Sequence, residues 1–210
     1  CTLQLRTAKR RLDQDAALKE KVNAILKEAG HPYEYQGTSE ITHFLWVLDE
    51  HPEVLDGKIT DALKGTQVAC YYGCHILRPT PVMNHESGDY PESFERLVRR
   101  LGAEPVWFDA GRKCCGFHAQ FTAEHDVLTV TGQIAASADR AGANLIATPC
   151  PLCQMQLDMY GPEGREAVHS QTDMPVLHLQ QLIGLALGMT KDEIGFNRHV
   201  SARRKLKIGG

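Results

Sequence analysis

From residue 67 onward the sequence alternates short apolar runs with longer stretches of helical periodicity, and this alternation constrains the fold more than any other feature. Strand patterns cover Gln67 to Tyr72, Pro105 to Phe108, Asn144 to Thr148 and Pro175 to His178. Helical patterns cover Pro91 to Leu101, Glu124 to Ala141, Cys150 to Met159 and Leu179 to Leu187. Such alternation builds right-handed βαβ units, because each helix carries the chain back so that the next strand starts in the same direction. The expected fold class is therefore α/β, a mainly parallel sheet with flanking helices. In such sheets ligands gather outside the carboxyl ends of the strands. Here the runs ending at Tyr72 and Thr148 pass straight into cysteine-bearing loops.

Ahead of that region, Leu5, Ala8, Leu12, Leu18, Val22, Ile25, Leu26 and Ala29 recur at helical spacing, with Asp13 and Asp15 as capping interruptions and Gly30 as a stop. The pattern predicts one or two amphipathic helices. A further helix runs from Glu40 to Leu48 and ends at His51-Pro52, and Pro52 to Gly65 reads as a connector. The chain has 210 residues, 42% of them hydrophobic, enough for a sizeable core. Its net charge of −3 leaves no basic field to hold nucleic acid; the one dense basic cluster, Arg203 to Lys207, reads as a solvated tail. No apolar run approaches the ~20 residues of a membrane span and the start has no signal-peptide pattern, so a cytoplasmic location is expected.

Seven cysteines in such a chain argue against a disulfide framework and for metal or redox chemistry. Five follow the spacing Cys74-x39-Cys114-Cys115-x34-Cys150-x2-Cys153, each at or just past the end of a strand pattern, so the fold would bring them to one edge of the sheet. Structural zinc takes four tetrahedral ligands, usually from two CxxC-like pairs, and only one such pair is present. Adjacent cysteines point apart and suit a cluster of several irons, each thiolate taking a different metal. Zinc and unliganded reactive thiols are the competing readings. Gly73 and Gly116 allow tight turns beside a bulky core, and Cys150 and Cys153 fall on the first turn of a helix whose free N–H groups favour thiolate.

The remaining polar and aromatic residues divide less sharply. Cys70, four residues before Cys74, reads as a buried small hydrophobe. His118 stands three residues after Cys115, where it could donate a proton to a leaving thiolate or simply occupy a loop. Arg78 and Lys113 flank cluster cysteines and either offset charge or serve the surface. Trp46, Trp107, Phe44 and Phe108 are expected in the core or at a contact between subunits. No phosphate loop or nucleotide fingerprint is present, so flavin or NAD binding by this chain is not supported.

An internal repeat is visible as well. Cys1-x-x-Gln4-Leu5 matches Cys153-x-x-Gln156-Leu157, and His43-Phe44-x-x-Val47-Leu48 matches His178-Leu179-x-x-Leu182-Ile183 in the same order. The motifs are 42 and 25 residues apart, so the first copy carries a 17-residue insertion. Cys1 is then the last ligand of a first motif, and because Cys74 precedes Cys153 by 79 residues, about that much sequence would precede Cys1 in a full copy. His43 and His178, at equivalent positions, are expected to cap or pack the helix that follows.

The stretches Tyr71-Tyr72-Gly73-Cys74-x3-Arg78-Pro79, Cys114-Cys115-Gly116 and Pro149-Cys150-Pro151-Leu152-Cys153 resemble the cysteine-rich CCG domain of the heterodisulfide reductase B subunit. The resemblance is closer to that protein than to the wider CCG group, which includes iron–sulfur proteins of glycolate and lactate oxidation, and it extends to Leu185-Ala-Leu-Gly188, Gly195 and His199. It implies tandem CCG domains, the first incomplete: residues 1–65 as the end of the first domain plus connector, 66–190 as the complete second, 191–210 as a tail. By resemblance, Cys74, Cys114, Cys115, Cys150 and Cys153 hold a noncubane [4Fe-4S] cluster, and Cys1 matches the last ligand of another. The implied activity is an oxidoreductase acting on sulfur groups, reducing or forming a disulfide such as that of coenzyme M and coenzyme B. The implied partners are an iron–sulfur protein like the C subunit of heterodisulfide reductase and a flavoprotein like its A subunit. The alternative is an electron-transfer subunit of the glycolate or lactate oxidase type with no disulfide substrate of its own.

Overall fold

The two most apolar strands take the centre of the sheet and the two with polar or proline residues take its edges. In the computed structural model, which describes residues 1–201, 206 and 208, β1 is Gln67–Cys70, β2 Glu104–Val106, β3 Leu145–Thr148 and β4 Val176–His178, all parallel in the order β2-β1-β3-β4. Every residue of β3 is buried, the signature of a strand covered on both faces. Pro105 cannot donate to a ladder, and β2, which carries it opposite Val68, lies at the edge.

Side chains alternate across the sheet and define two cores. Val68, Cys70 and Tyr72 project into one, together with Trp46 and Leu45 of α3 (Phe44–Glu50), Phe94 and Leu97 of α4 (Ser93–Arg100) and Leu182 of α8 (Leu179–Ala186). Ala69 and Tyr71 project into the other with Phe108, Ile134 of α5 (Glu124–Arg140), Leu157 of α6 (Pro151–Met159), Cys115 and Cys153. Cys70 therefore packs on the face opposite Cys115 and Cys153, in agreement with its reading as a small hydrophobe.

The N-terminal helical pattern resolves into α1 (Thr2–Gln14) and α2 (Ala16–Glu28), broken at Asp15, whose carboxylate accepts the Leu18 N–H at 2.9 Å and caps α2. Neither helix has a buried residue. Polar clasps hold them instead: Arg6 donates to Ile41 O at 2.8 Å and lies 4.7 Å from the Trp46 ring, Arg10 donates to Pro81 O at 2.6 Å, and Asn23 bonds the Tyr35 backbone in both directions.

One helix escapes the sequence patterns. Gly161–Ala167 forms α7 although Gly161, Pro162 and Gly164 read as breakers. Its reason is tertiary: α7 crosses α5 where Gly164 meets Gly132, so closely that a Cβ on Gly132 would stand 2.1 Å from the Gly164 carbonyl oxygen. The segment after residue 190 packs back through the buried Phe196, His199 and Ser201, with Asp158 of α6 accepting the Ser201 N–H at 3.1 Å and hydroxyl at 2.8 Å. Arg203, Arg204, Lys205 and Lys207 of the basic tail lie outside the described residues.

Candidate iron–sulfur site

All four strands end at one edge of the sheet, and each delivers part of the site. β1 continues through Tyr71, Tyr72 and Gly73 to Cys74; the loop after β2 carries Cys114 and Cys115; β3 leads through Pro149 to Cys150 and α6; β4 ends on His178. Tyr71 and Tyr72 hold the first of these loops. The Tyr71 N–H donates to Ala147 O at 2.8 Å and its hydroxyl to Lys113 O at 2.7 Å, which ties the cysteine pair's loop to β1. Burial, reinforced by the nearby thiols, pushes the Tyr71 phenol well above its ordinary range, so it stays a neutral donor.

The five cysteines of the spacing motif do converge. Cys74 and Cys114 lie at the outer side with their Sγ atoms 3.9 Å apart. Deeper in, Cys153 stands within hydrogen-bonding reach of both Cys115 and Cys150. Gly73, at φ +72°, passes so close that a Cβ on it would stand 2.8 Å from Cys153 Sγ. Gly116, at φ +83°, turns the chain directly against Val127 of α5.

Charge on these sulfurs is graded by their surroundings. Cys150 is the N-cap of α6, and its thiol is brought down to about 6, first by the Cys153 thiol it pairs with and then by the N–H groups of Cys153 and Leu152. Cys115 is also lowered, by its bond to Cys153 and the Phe117 N–H. Cys153 is raised, because it holds the proton shared with these two neighbours. Cys74 is raised to about 11 by burial and by Cys114, whose sulfur itself accepts the Gly116 N–H at 3.4 Å. Together they form an all-sulfur donor set of five, backed by peptide N–H groups and cradled by a glycine. These are the features a multi-iron cluster requires: soft ligands in excess of one tetrahedron, charge-stabilising donors and room for close approach. Among the described residues no set of three or more His, Cys, Asp and Glu is placed to hold a single metal ion.

Histidines line the rim. His75 and His118 face each other with ring centroids 5.2 Å apart, both outside the buried core. His43 and His178 sit deeper and both begin helices as expected: His43 Nδ1 accepts the Leu45 N–H at 3.1 Å, and Gln181 Oε1 accepts the His178 N–H at 2.9 Å. Both rings lie near the Pro149 carbonyl, next to Cys150, and His178 Nε2 is buried there without a hydrogen-bond partner. Cys1 lines, with Cys150, His43 and His75, a cavity of about 80 Å³, so Cys1 lies beside one of the five converging cysteines.

Other expectations sort by exposure. Trp46 and Phe108 are buried; Phe44 is 45% exposed and Trp107 is 66% exposed, lying 5.9 Å beneath the Arg112 guanidinium. Arg78 serves the surface, donating to Asp89 at 3.0 Å and Gly88 O at 3.2 Å. What spacing arguments missed is a buried polar contact behind the cysteines, in which Gln156 Nε2 donates to Gln120 Oε1 at 2.9 Å and Thr131 Oγ1 at 3.1 Å. The one signal for it was the glutamine that recurs in Cys1-x-x-Gln4 and Cys153-x-x-Gln156.

Residues 68–158 match the CCG cysteine-rich domain family. The chain is 44% identical over 98% of its length to the 8-methylmenaquinol:fumarate reductase membrane anchor subunit of Wolinella succinogenes, covering 71% of that protein. It is 34% identical over 95% of its length to the B subunit of the ferredoxin/F420H2-dependent CoB-CoM heterodisulfide reductase of Methanosarcina acetivorans, covering 67% of that protein. A hypothetical protein from Helicobacter pylori shares the fold, with a TM-score of 0.71 at 15% identity over 92% of this chain and 35% of the other. Among the described residues no helix is long and apolar enough to cross a membrane. With the motif, the parallel sheet and these relatives in agreement, the chain belongs to the CCG cysteine-rich domain proteins of the heterodisulfide reductase B-subunit family.

Proposed function

We propose that this chain is the subunit of a reductase complex that holds a noncubane [4Fe-4S] cluster on Cys74, Cys114, Cys115, Cys150 and Cys153 and there interconverts a disulfide and two thiols. The convergence of five thiols at the carboxyl edge of the sheet, with Gly73 cleared for close approach, carries this reading. A disulfide takes up two electrons and two protons to give two thiols, while iron–sulfur relays pass electrons singly. When bound, the cluster supplies one-electron chemistry and open iron valences for sulfur. The chain's own residues do the rest: the peptide N–H groups at Cys150 and Cys114 stabilise sulfur charge, Tyr71 fixes the Cys114 loop, and His118, exposed and tilted against His75, serves as the proton donor to a departing thiolate. Cys1, beside the same cavity as Cys150, is the last ligand of the family's first cluster motif, the five cysteines here being those of the second. Electrons pass between this chain and an iron–sulfur protein like the C subunit of heterodisulfide reductase, itself served by a flavoprotein like the A subunit.

The 44% identity to a protein named for menaquinol and fumarate favours a second reading, in which the cluster relays electrons and no disulfide reacts. Anaerobic purification followed by iron, sulfide and zinc analysis and electron paramagnetic resonance separates the outcomes. About four irons with matching sulfide per complete five-cysteine motif are expected, and adding a thiol or disulfide during oxidation should change the cluster's signal. A signal indifferent to both would leave the relay reading; zinc without sulfide would overturn the cluster itself.

A further inference from the structure

Cys153 and Gln156 lie one turn apart on α6, so their side chains leave the helix as neighbours. Gln156 is fully buried, and so, nearly, are its two acceptors: Gln120 is 3% exposed and Thr131 1%. Gln120 is the buried polar side chain of the turn that follows the Cys114-Cys115 pair, and Thr131 lies on α5 one turn beyond Val127, the residue that Gly116 packs against. One amide nitrogen thus joins the helix that carries Cys153, the turn that carries the cysteine pair, and the helix that backs both.

The arrangement has a cost that packing alone would not incur. Gln156 Oε1 is buried without a partner, whereas a methionine of similar volume would fill the space and strand nothing on α6. A polar residue standing against that cost is one whose directional bonds matter, since a hydrogen bond in a dry interior fixes register as apolar contact does not. Glutamine also follows Cys1 by the same three residues, so both cysteines of the repeat have it one turn on.

We propose that Gln156 is a positioning residue for the cluster thiols, setting the turn of Cys114 and Cys115 at a fixed spacing from Cys153 through Gln120 and Thr131. The inference rests on the iron–sulfur reading above and concerns which residue sets the ligand spacing. It is tested on anaerobically loaded protein by comparing Gln156→Met, Thr131→Val and Thr131→Ser with the parent chain, and with Leu97→Ala as a control that opens the core on the other face of the sheet. The readouts are iron content, the g-values of the oxidised cluster, the rate of iron loss to a chelator, and the melting temperature.

Gln156→Met and Thr131→Val should still bind iron but shift the g-values and release iron about 10-fold faster, the lower end of what residues bonded behind metal ligands contribute. Thr131→Ser, which keeps the acceptor, should restore the parent spectrum and rate, and Leu97→Ala should lower the melting temperature without moving either. An unchanged spectrum and release rate in Gln156→Met with iron present in the parent would sink the positioning role alone. A parent chain without iron would sink the cluster reading and this inference with it. If Gln156→Met does not fold, the contrast between Thr131→Val and Thr131→Ser decides, and equal behaviour of those two overturns the proposal.

Discussion

Replacing Gly73 by alanine separates two demands that the site makes on one residue. The first is conformational: φ is +72°, where a Cβ crowds the following carbonyl at a cost of roughly 1–2 kcal/mol. The second is spatial: the new Cβ would stand 2.8 Å from Cys153 Sγ, nearly 1 Å inside the ~3.5–4 Å of an ordinary contact. Cys153 is 3% exposed and lies in the first turn of α6, so it cannot simply recede, and overpacking of this kind costs about 1–3 kcal/mol more. Gly65 provides the control, since its φ is +75° and nothing lies within 4 Å of its Cβ position. Urea unfolding of the metal-free chain should therefore show Gly65→Ala losing about 1–2 kcal/mol and Gly73→Ala about 2–5, at unchanged m. After loading, Gly65→Ala should keep its iron and Gly73→Ala should lose most of it, because the displaced thiol is one of the proposed ligands. Equal losses in urea with iron retained by both would mean that Gly73 serves only the turn, and the cradle reasoning would be wrong.

Two further outcomes follow from the same geometry. Cys70→Ala should retain iron, since Cys70 packs on the opposite face of the sheet, whereas Cys115→Ser should lose it; iron analysis of the two purified variants would remove the ligand assignment if Cys115→Ser stayed loaded. Acid should destabilise the fold through His43, which burial and the neighbouring His178 bring down to about 4. With its folded value below the unfolded 6.5, the group contributes stability that is complete above pH 6.5 and is lost as pH falls towards 4, by at most about 3 kcal/mol. Urea midpoints measured between pH 7 and 4 should show that slope, and a His43→Asn variant with the same slope would show that His43 is not its source.

The sheet and its order of elements were legible because buried strands leave an unmistakable pattern: Leu145 to Thr148 is apolar throughout except for its last residue, and the structure covers it on both faces. The gathering of five thiols was legible because each of those cysteines follows a strand pattern, and parallel strands end at one edge. α7 was not legible, since Gly161, Pro162 and Gly164 argue locally against a helix and only the approach of Gly164 to Gly132 argues for one. Trp107 and Phe44 fall on the exposed side of their two-way expectation: Trp107 follows an edge strand and lies beneath a guanidinium, not in the core. The polar contact behind the cysteines was invisible because Gln156 lies 36 residues from Gln120 and 25 from Thr131, and no spacing rule links them.

His43 and His178, which match in the sequence, share a choice of residue that capping alone does not explain. Serine, threonine or aspartate would cap α3 at least as well as His43, and none would reach further than the helix it begins. A neutral imidazole has one nitrogen to accept and one to donate. His43 Nδ1 accepts the Leu45 N–H, and its ring lies near the Pro149 carbonyl, the group immediately before Cys150. His178, at the matching place in the sequence, starts α8 with its ring near the same carbonyl and its Nε2 buried without a hydrogen-bond partner. Both rings thus flank the peptide that precedes the N-terminus of α6. Protonating either ring would cost the bond it accepts, and burial, joined at His43 by repulsion from His178, holds both below the ordinary histidine range. A cap whose ring also packs near Pro149 distinguishes histidine from the smaller capping residues at both positions.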